Sequence, residues 1–118
     1  MDSESLKLAK TFLGKEVQII MDRPMGSMHP KHNFCYEVNY GYVENVIAPD
    51  GEELDAYYLG VDCPLEKAKG KVIAIIHRID DDDDKVVVVP EGVVLSDEEI
   101  LKQTHFQEQW FKSSVVRP

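Results

Sequence analysis

Cysteine, basic charge and long apolar runs are all scarce in this sequence, and each scarcity removes a class of protein. Cys35 and Cys63 are its two cysteines. That is too few for a disulfide framework, and they lack C-x-x-C spacing, so two buried free thiols in a reducing compartment are expected. Thirteen Lys and Arg stand against 22 Asp and Glu, a formal net charge of −9. Nucleic acid and anionic membranes both need a basic footprint, so neither is expected as a partner. The longest apolar runs, "VIAII" and "VVVV", fall far short of the ~18 residues that read as a membrane span. The opening "MDSESLKLAK" carries acids where a signal peptide needs basic residues, and no apolar stretch follows it. A soluble cytoplasmic protein is the expectation. P-loop, G-x-G-x-x-G and Ser-His-Asp patterns are absent. His29 and His32 have no companions at zinc-ligand spacing.

At 118 residues without repeats or a linker-like stretch, a single domain over residues 1–118 is predicted. "DSESLKLAKTFLG" reads as a short helix with Leu6, Ala9 and Leu13 on one face and Gly14 as its stop. "EVQIIM" is strand-like, and an irregular run, "DRPMGSMHPKHN", follows it. "FCYEVNYGYVENV" is aromatic and β-branched, hence a predicted strand, with Gly41 marking a bulge or a close approach. "DAYYLGV" is another strand. "KVIAIIHRI" and "KVVVVP" form a hairpin whose tip is Asp80 to Asp84. Ser96 and Glu99 make a capping box for a helix running through "EEILKQTHFQEQWFKSS". About five strands and a closing helix predict an α+β, mainly β fold: a small OB-like barrel with a packed C-terminal helix.

Two acidic stretches carry the chemical interest. In "APDGEELDAY" the turn Pro49-Asp50-Gly51 leads into Glu52, Glu53 and Asp55. The acids read either as a solvated corner or as a cradle for a divalent ion, because magnesium takes oxygen ligands and needs only a few carboxylates. "DDDDDK" poses the same choice. Unit charges ~4 Å apart repel by about 1 kcal/mol even in water, and a cation would offset that. The other reading is a solubilising tip for sticky strands. Arg23 and Lys85 are candidate phosphate ligands or plain surface cations. Tyr36, Tyr40 and Tyr42 alternate, as residues on one face of a strand do.

Taken in order, these stretches resemble the soluble inorganic pyrophosphatase family. The family's signature is Asp-Gly-Asp-Pro/Glu-apolar-Asp, about ten residues beyond Asn-Tyr-Gly-Tyr/Phe. "NYGY" (Asn39–Tyr42) and "DGEELD" (Asp50–Asp55) match in order and spacing. "DDKVVVVP" and "HFQEQWFK" are similar to the family's Asp-x-Lys hairpin and its last helix. The resemblance covers residues 22–112. It implies magnesium-dependent hydrolysis of pyrophosphate, or of a related small phosphoanhydride, by two-metal activation of water. Two or more Mg2+ ions are implied, with Mn2+ or Co2+ as substitutes, held by Asp50, Glu52, Asp55, Asp80 and Asp83. Glu52, Asp55 and Tyr40 would serve catalysis, while Arg23, Tyr36, Lys85 and Lys112 would contact phosphoryl oxygens. The family commonly assembles into oligomers, so a homo-oligomer is expected.

The chain departs from the pattern in four places, one of them being Phe111-Lys112 where the family has Tyr-Lys, so that one hydroxyl is gone. Glu52 replaces an aspartate linked to the bridging water. The family's N-terminal hairpin, with its Glu, Lys and Glu, is reduced to "GKEVQII". The insertion Pro24 to Asn33 is longer than the usual connection. A non-catalytic phosphate- or nucleotide-binding relative that kept the metal pocket is the alternative reading, and an OB-type nucleic-acid binder is disfavoured by the charge. One methylene displaces the Glu52 carboxylate by about 1.5 Å, enough to slow a positioned reaction. Glu52→Asp is therefore expected to raise the rate of orthophosphate release from pyrophosphate in a steady-state assay.

Overall fold

The computed structural model describes residues 4–31, 33–47, 51–79 and 84–118. Asp50, Asp80, Asp83 and His32 lie outside the described residues. In chain order the elements are α1 (Glu4–Lys10), β1 (Glu16–Arg23), β2 (Asn39–Ile47), β3 (Glu53–Tyr58), β4 (Lys67–Arg78), β5 (Lys85–Val89), α2 (Asp97–Glu108) and β6 (Ser113–Val116). Strands β1, β2, β3, β5 and β4 lie side by side, and β1 also pairs with β4, closing a five-stranded barrel. The pairing is antiparallel except between β3 and β5. This is the small OB-like barrel with two helices that the sequence predicts. Among the described residues no helix is long and apolar enough to cross a membrane.

The barrel has two cores, and β5 belongs to both. A strand that is apolar at successive positions needs burial on both faces. Val86 and Val88 point inward with Ile19, Val43, Leu54 and Ile75. Val87 and Val89 point outward, beneath Ile100 and Phe106 of α2. On β4 the register shifts between Val72 and Ala74. Val72 and Ile75 consequently face the interior while Ala74 and Ile76 join the outer core, as a bulge requires.

Several boundaries differ from expectation, three of them for a clear local reason, and Cys35 and Cys63, expected to be buried, are exposed. The strand predicted from Phe34 begins at Asn39. Residues ahead of it pair with the insertion instead: Tyr36 N–H donates to Ser27 O and Gly26 N–H to Tyr36 O, both at 2.8 Å. Buried Asn39 fixes that change of partner. Its Oδ1 accepts from Met25 N (2.9 Å) and Leu65 N (3.0 Å), and its Nδ2 donates to Cys63 O (2.9 Å). The closing helix stops at Glu108, and Ser113–Val116 turns back as β6 along β4. Leu13 lies beyond α1, in the turn that Gly14 ends with a 2.8 Å bond to Val72 O.

Gly41 is a close approach. A Cβ built there would lie 1.9 Å from Ile20 O, backbone rather than a yielding side chain. Gly41→Ala is therefore expected to destabilise the fold by about 2 kcal/mol or more, read from the midpoint of urea unfolding.

Candidate active site

Strand alternation delivers the site. On the outer face of the barrel β3 presents Asp55 and then Tyr57, β5 presents Lys85 and then Val87, and β4 presents Ile76 and then Arg78. Tyr57, Val87 and Ile76 are covered beneath α2. Asp55, Lys85 and Arg78 instead line a cleft of about 560 Å3. Tyr36, Tyr40 and Gln107 line it as well, and His29, Phe34, Trp110 and Phe111 complete its wall.

Lys85 is the centre of the polar end. It is 2% exposed, and its Nζ donates to Tyr40 Oη at 2.7 Å and to Asp55 Oδ2 at 3.0 Å. Adjacent register positions on the parallel pair β3–β5 set the acid beside the amine. A lysine this buried needs both partners, because a desolvated ammonium alone costs several kcal/mol. Tyr36 stacks on Tyr40 with centroids 5.6 Å apart. Burial raises the Tyr36 hydroxyl above its ordinary pKa, opposed by the nearby charges of Arg23 and Lys85.

Behind the cleft lies a buried polar network. Glu108 is 5% exposed and accepts from Arg78 Nε and NH2, both at 2.9 Å. It also accepts from Tyr57 Oη at 2.6 Å and Ser113 Oγ at 3.2 Å. Gln107 Nε2 donates to Tyr57 Oη at 2.7 Å, and the Arg78 guanidinium lies 3.8 Å over the Phe111 ring. Burial pushes the Glu108 carboxyl up, but the bonds from Arg78 and Tyr57 and the charges of Arg78 and Lys85 outweigh it, leaving the pKa below 4.5. Burial, followed by the Glu108 charge, drives the Tyr57 hydroxyl well above 10.0.

Of the predicted site residues, Tyr36, Tyr40, Asp55 and Lys85 come together in the cleft. Arg23 is half-buried near Tyr36, with its NH1 donating to Asp22 O at 3.0 Å. Glu52 is exposed and outside the cleft lining. Lys112 is exposed and also outside that lining, and its carbonyl accepts from Ile79 N at 2.9 Å. Trp110 and Phe111 stand where the helix meets the cleft. Sequence reasoning missed Arg78, Glu108 and Tyr57. Asp50, Asp80 and Asp83, three of the five expected metal ligands, lie outside the described residues. Among those described, no group of three or more His, Cys, Asp or Glu could hold a metal ion. Of the expected ligands Glu52 and Asp55 are described, and Asp55 Oδ2 accepts from Lys85 Nζ at 3.0 Å; carboxylates are the donor type that magnesium takes.

The profile of the inorganic pyrophosphatase family matches residues 9–114. Among solved structures, an inorganic pyrophosphatase from Ehrlichia chaffeensis is 16% identical with a TM-score of 0.67, covering 86% of this chain and 85% of that one. One from Coxiella burnetii is 18% identical with a TM-score of 0.63, covering 85% and 83%. One from Neisseria gonorrhoeae is 22% identical with a TM-score of 0.61, covering 82% and 76%. At these identities the likeness is one of fold. Among curated proteins, none matches the sequence.

The network generates a pH dependence. Because the folded-state pKa of Glu108 is depressed, its contribution is complete above the unfolded value and lost as pH falls through the folded one. Glu108→Gln is expected to cost about 3 kcal/mol at pH 7, by removing the buried charge that accepts both Arg78 bonds. The variant's stability should then fall less steeply than wild type's below pH 4.5, measured by denaturant unfolding across pH.

Proposed function

The chain belongs to the inorganic pyrophosphatase family, and from that premise we propose that it hydrolyses pyrophosphate to orthophosphate with magnesium. The observation that carries this reading is Lys85, buried yet facing the cleft, held between Tyr40 and Asp55. A cation fixed in that way requires little reorganisation when a phosphoryl group arrives, and low local dielectric strengthens its pull on developing negative charge.

Asp50, Glu52, Asp55, Asp80 and Asp83 would hold two or more Mg2+ ions. Bound there, the ions supply an activated water and neutralise phosphoryl charge. The remaining work falls to the chain's own groups. Lys85 and Arg78 place positive charge at the polar end of the cleft, and Arg23, Tyr36 and Lys112 are the further phosphoryl contacts proposed. Tyr40 donates or accepts beside Lys85, which fits a role in orienting the attacking water. The barrel holds Arg23, Tyr40, Arg78 and Lys85 on strands, and positioning is most of what phosphoryl transfer asks of a protein.

A second reading is a pocket that binds phosphates without efficient turnover, and the placement of Glu52 outside the cleft lining favours it. Purified protein with Mg2+ and pyrophosphate is expected to release orthophosphate, and Asp55→Asn to lower kcat on the order of 100-fold. Metal-dependent phosphate binding with no turnover in Mg2+, Mn2+ or Co2+ would establish the second reading instead.

A further inference from the structure

Lys85, Asp55 and Arg78 line the polar end of the cleft; the other end is aromatic. Phe34 sits between His29, with centroids 4.8 Å apart, and Trp110, at 5.5 Å. Two separate segments deliver this wall. The first is the insertion, folded back by the Met28–Cys35 bridge and by a 3.0 Å bond from His29 N to Phe34 O. The second is the turn after α2, where Phe111 N donates to Glu108 O at 2.9 Å. Trp110 is 61% exposed, so its indole adds little to the core. The cleft's 560 Å3 falls in the range of about 300–1,000 Å3 typical of sites for drug-sized ligands. A bare pyrophosphate anion fills a small part of that and has nothing to offer an aromatic face.

We propose that the cleft takes a nucleoside 5′-diphosphate, with its phosphates toward Lys85 and Arg78 and its base stacked on the Phe34–Trp110 wall. This rests on the phosphoanhydride reading of the same cleft and names its substrate class. A planar heterocycle gains from an open aromatic face while its polar edges stay in water, whereas a flexible alkyl chain gains from enclosure. Hydrolysis consumes one water. Its oxygen bonds to the terminal phosphorus and keeps one proton, the P–O bond to the bridging oxygen breaks, nucleoside monophosphate leaves with that oxygen, and the second proton passes to solvent.

The test compares ADP with methyl diphosphate, which carries the anhydride without a base, and with geranyl diphosphate, all in Mg2+ by calorimetry. Base stacking is worth about 5- to 150-fold in affinity, so ADP should bind at least about fivefold tighter than methyl diphosphate. It should quench the emission of Trp110, the chain's single tryptophan. Phe34→Ala and Trp110→Ala, checked as folded by circular dichroism, should each erase most of ADP's advantage. Equal binding of ADP and methyl diphosphate, an advantage that survives both substitutions, or tighter binding of geranyl diphosphate overturns the proposal. Pyrophosphate hydrolysis is read separately. Its loss with the ADP advantage intact overturns the pyrophosphatase reading alone, and the reverse result overturns this one alone.

Discussion

One buried carboxylate holds this molecule's parts in register. Glu108 ends α2 and accepts from Arg78 on β4, Tyr57 on β3 and Ser113 on β6. A charge removed from water costs several kcal/mol unless its lone pairs are satisfied, so no displaced seating of the helix is tolerated. The bidentate Arg78 contact adds direction, because guanidinium and carboxylate must lie nearly coplanar. The turn that follows the helix inherits this placement, and with it Trp110 and Phe111.

The outer face of the barrel serves two purposes within a few ångströms. Successive outward residues on one strand stand about 6.6 Å apart. On β3 and β5 one outward residue lines the cleft and the next supports α2, as Asp55 and Tyr57 or Lys85 and Val87 do. The polar groups are thus one strand step from close packing, which restrains their motion more than a loop would.

Period-two patterning and turn chemistry made the barrel legible in the sequence. The unbroken valines announced one strand of a hairpin, and Gly41 announced a bulge or a close approach. Ser96 and Glu99 marked the helix start, and their reciprocal bonds at 3.1 Å form the capping box. The polar network behind the cleft was hidden. Arg78 extends the outward row Ala74–Ile76, but the bulge at Ile73 reverses the alternation that would have revealed it. Glu108 follows buried Gln107 in a helix whose other acids, Asp97, Glu98 and Glu99, are exposed, and nothing local marks it as buried. Its partners Tyr57 and Arg78 come from strands far away in sequence. The end of α2 was misplaced because "FKSSVV" is as compatible with helix continuation as with a short strand, until β4 offers it an edge.

Strand β4 meets β1 near its start, β6 near its end and β5 between. Pairing Glu16 with Lys71 closes a large loop, and non-local pairings of this kind are slow to form because chain entropy must be lost before contacts compensate. Asp55 and Lys85 also meet only through a non-local, parallel pairing. A partly folded chain therefore carries the acids and the lysine but no site. Completing the barrel and creating the cleft are a single cooperative event, so a newly made molecule passes from inert to competent in one step.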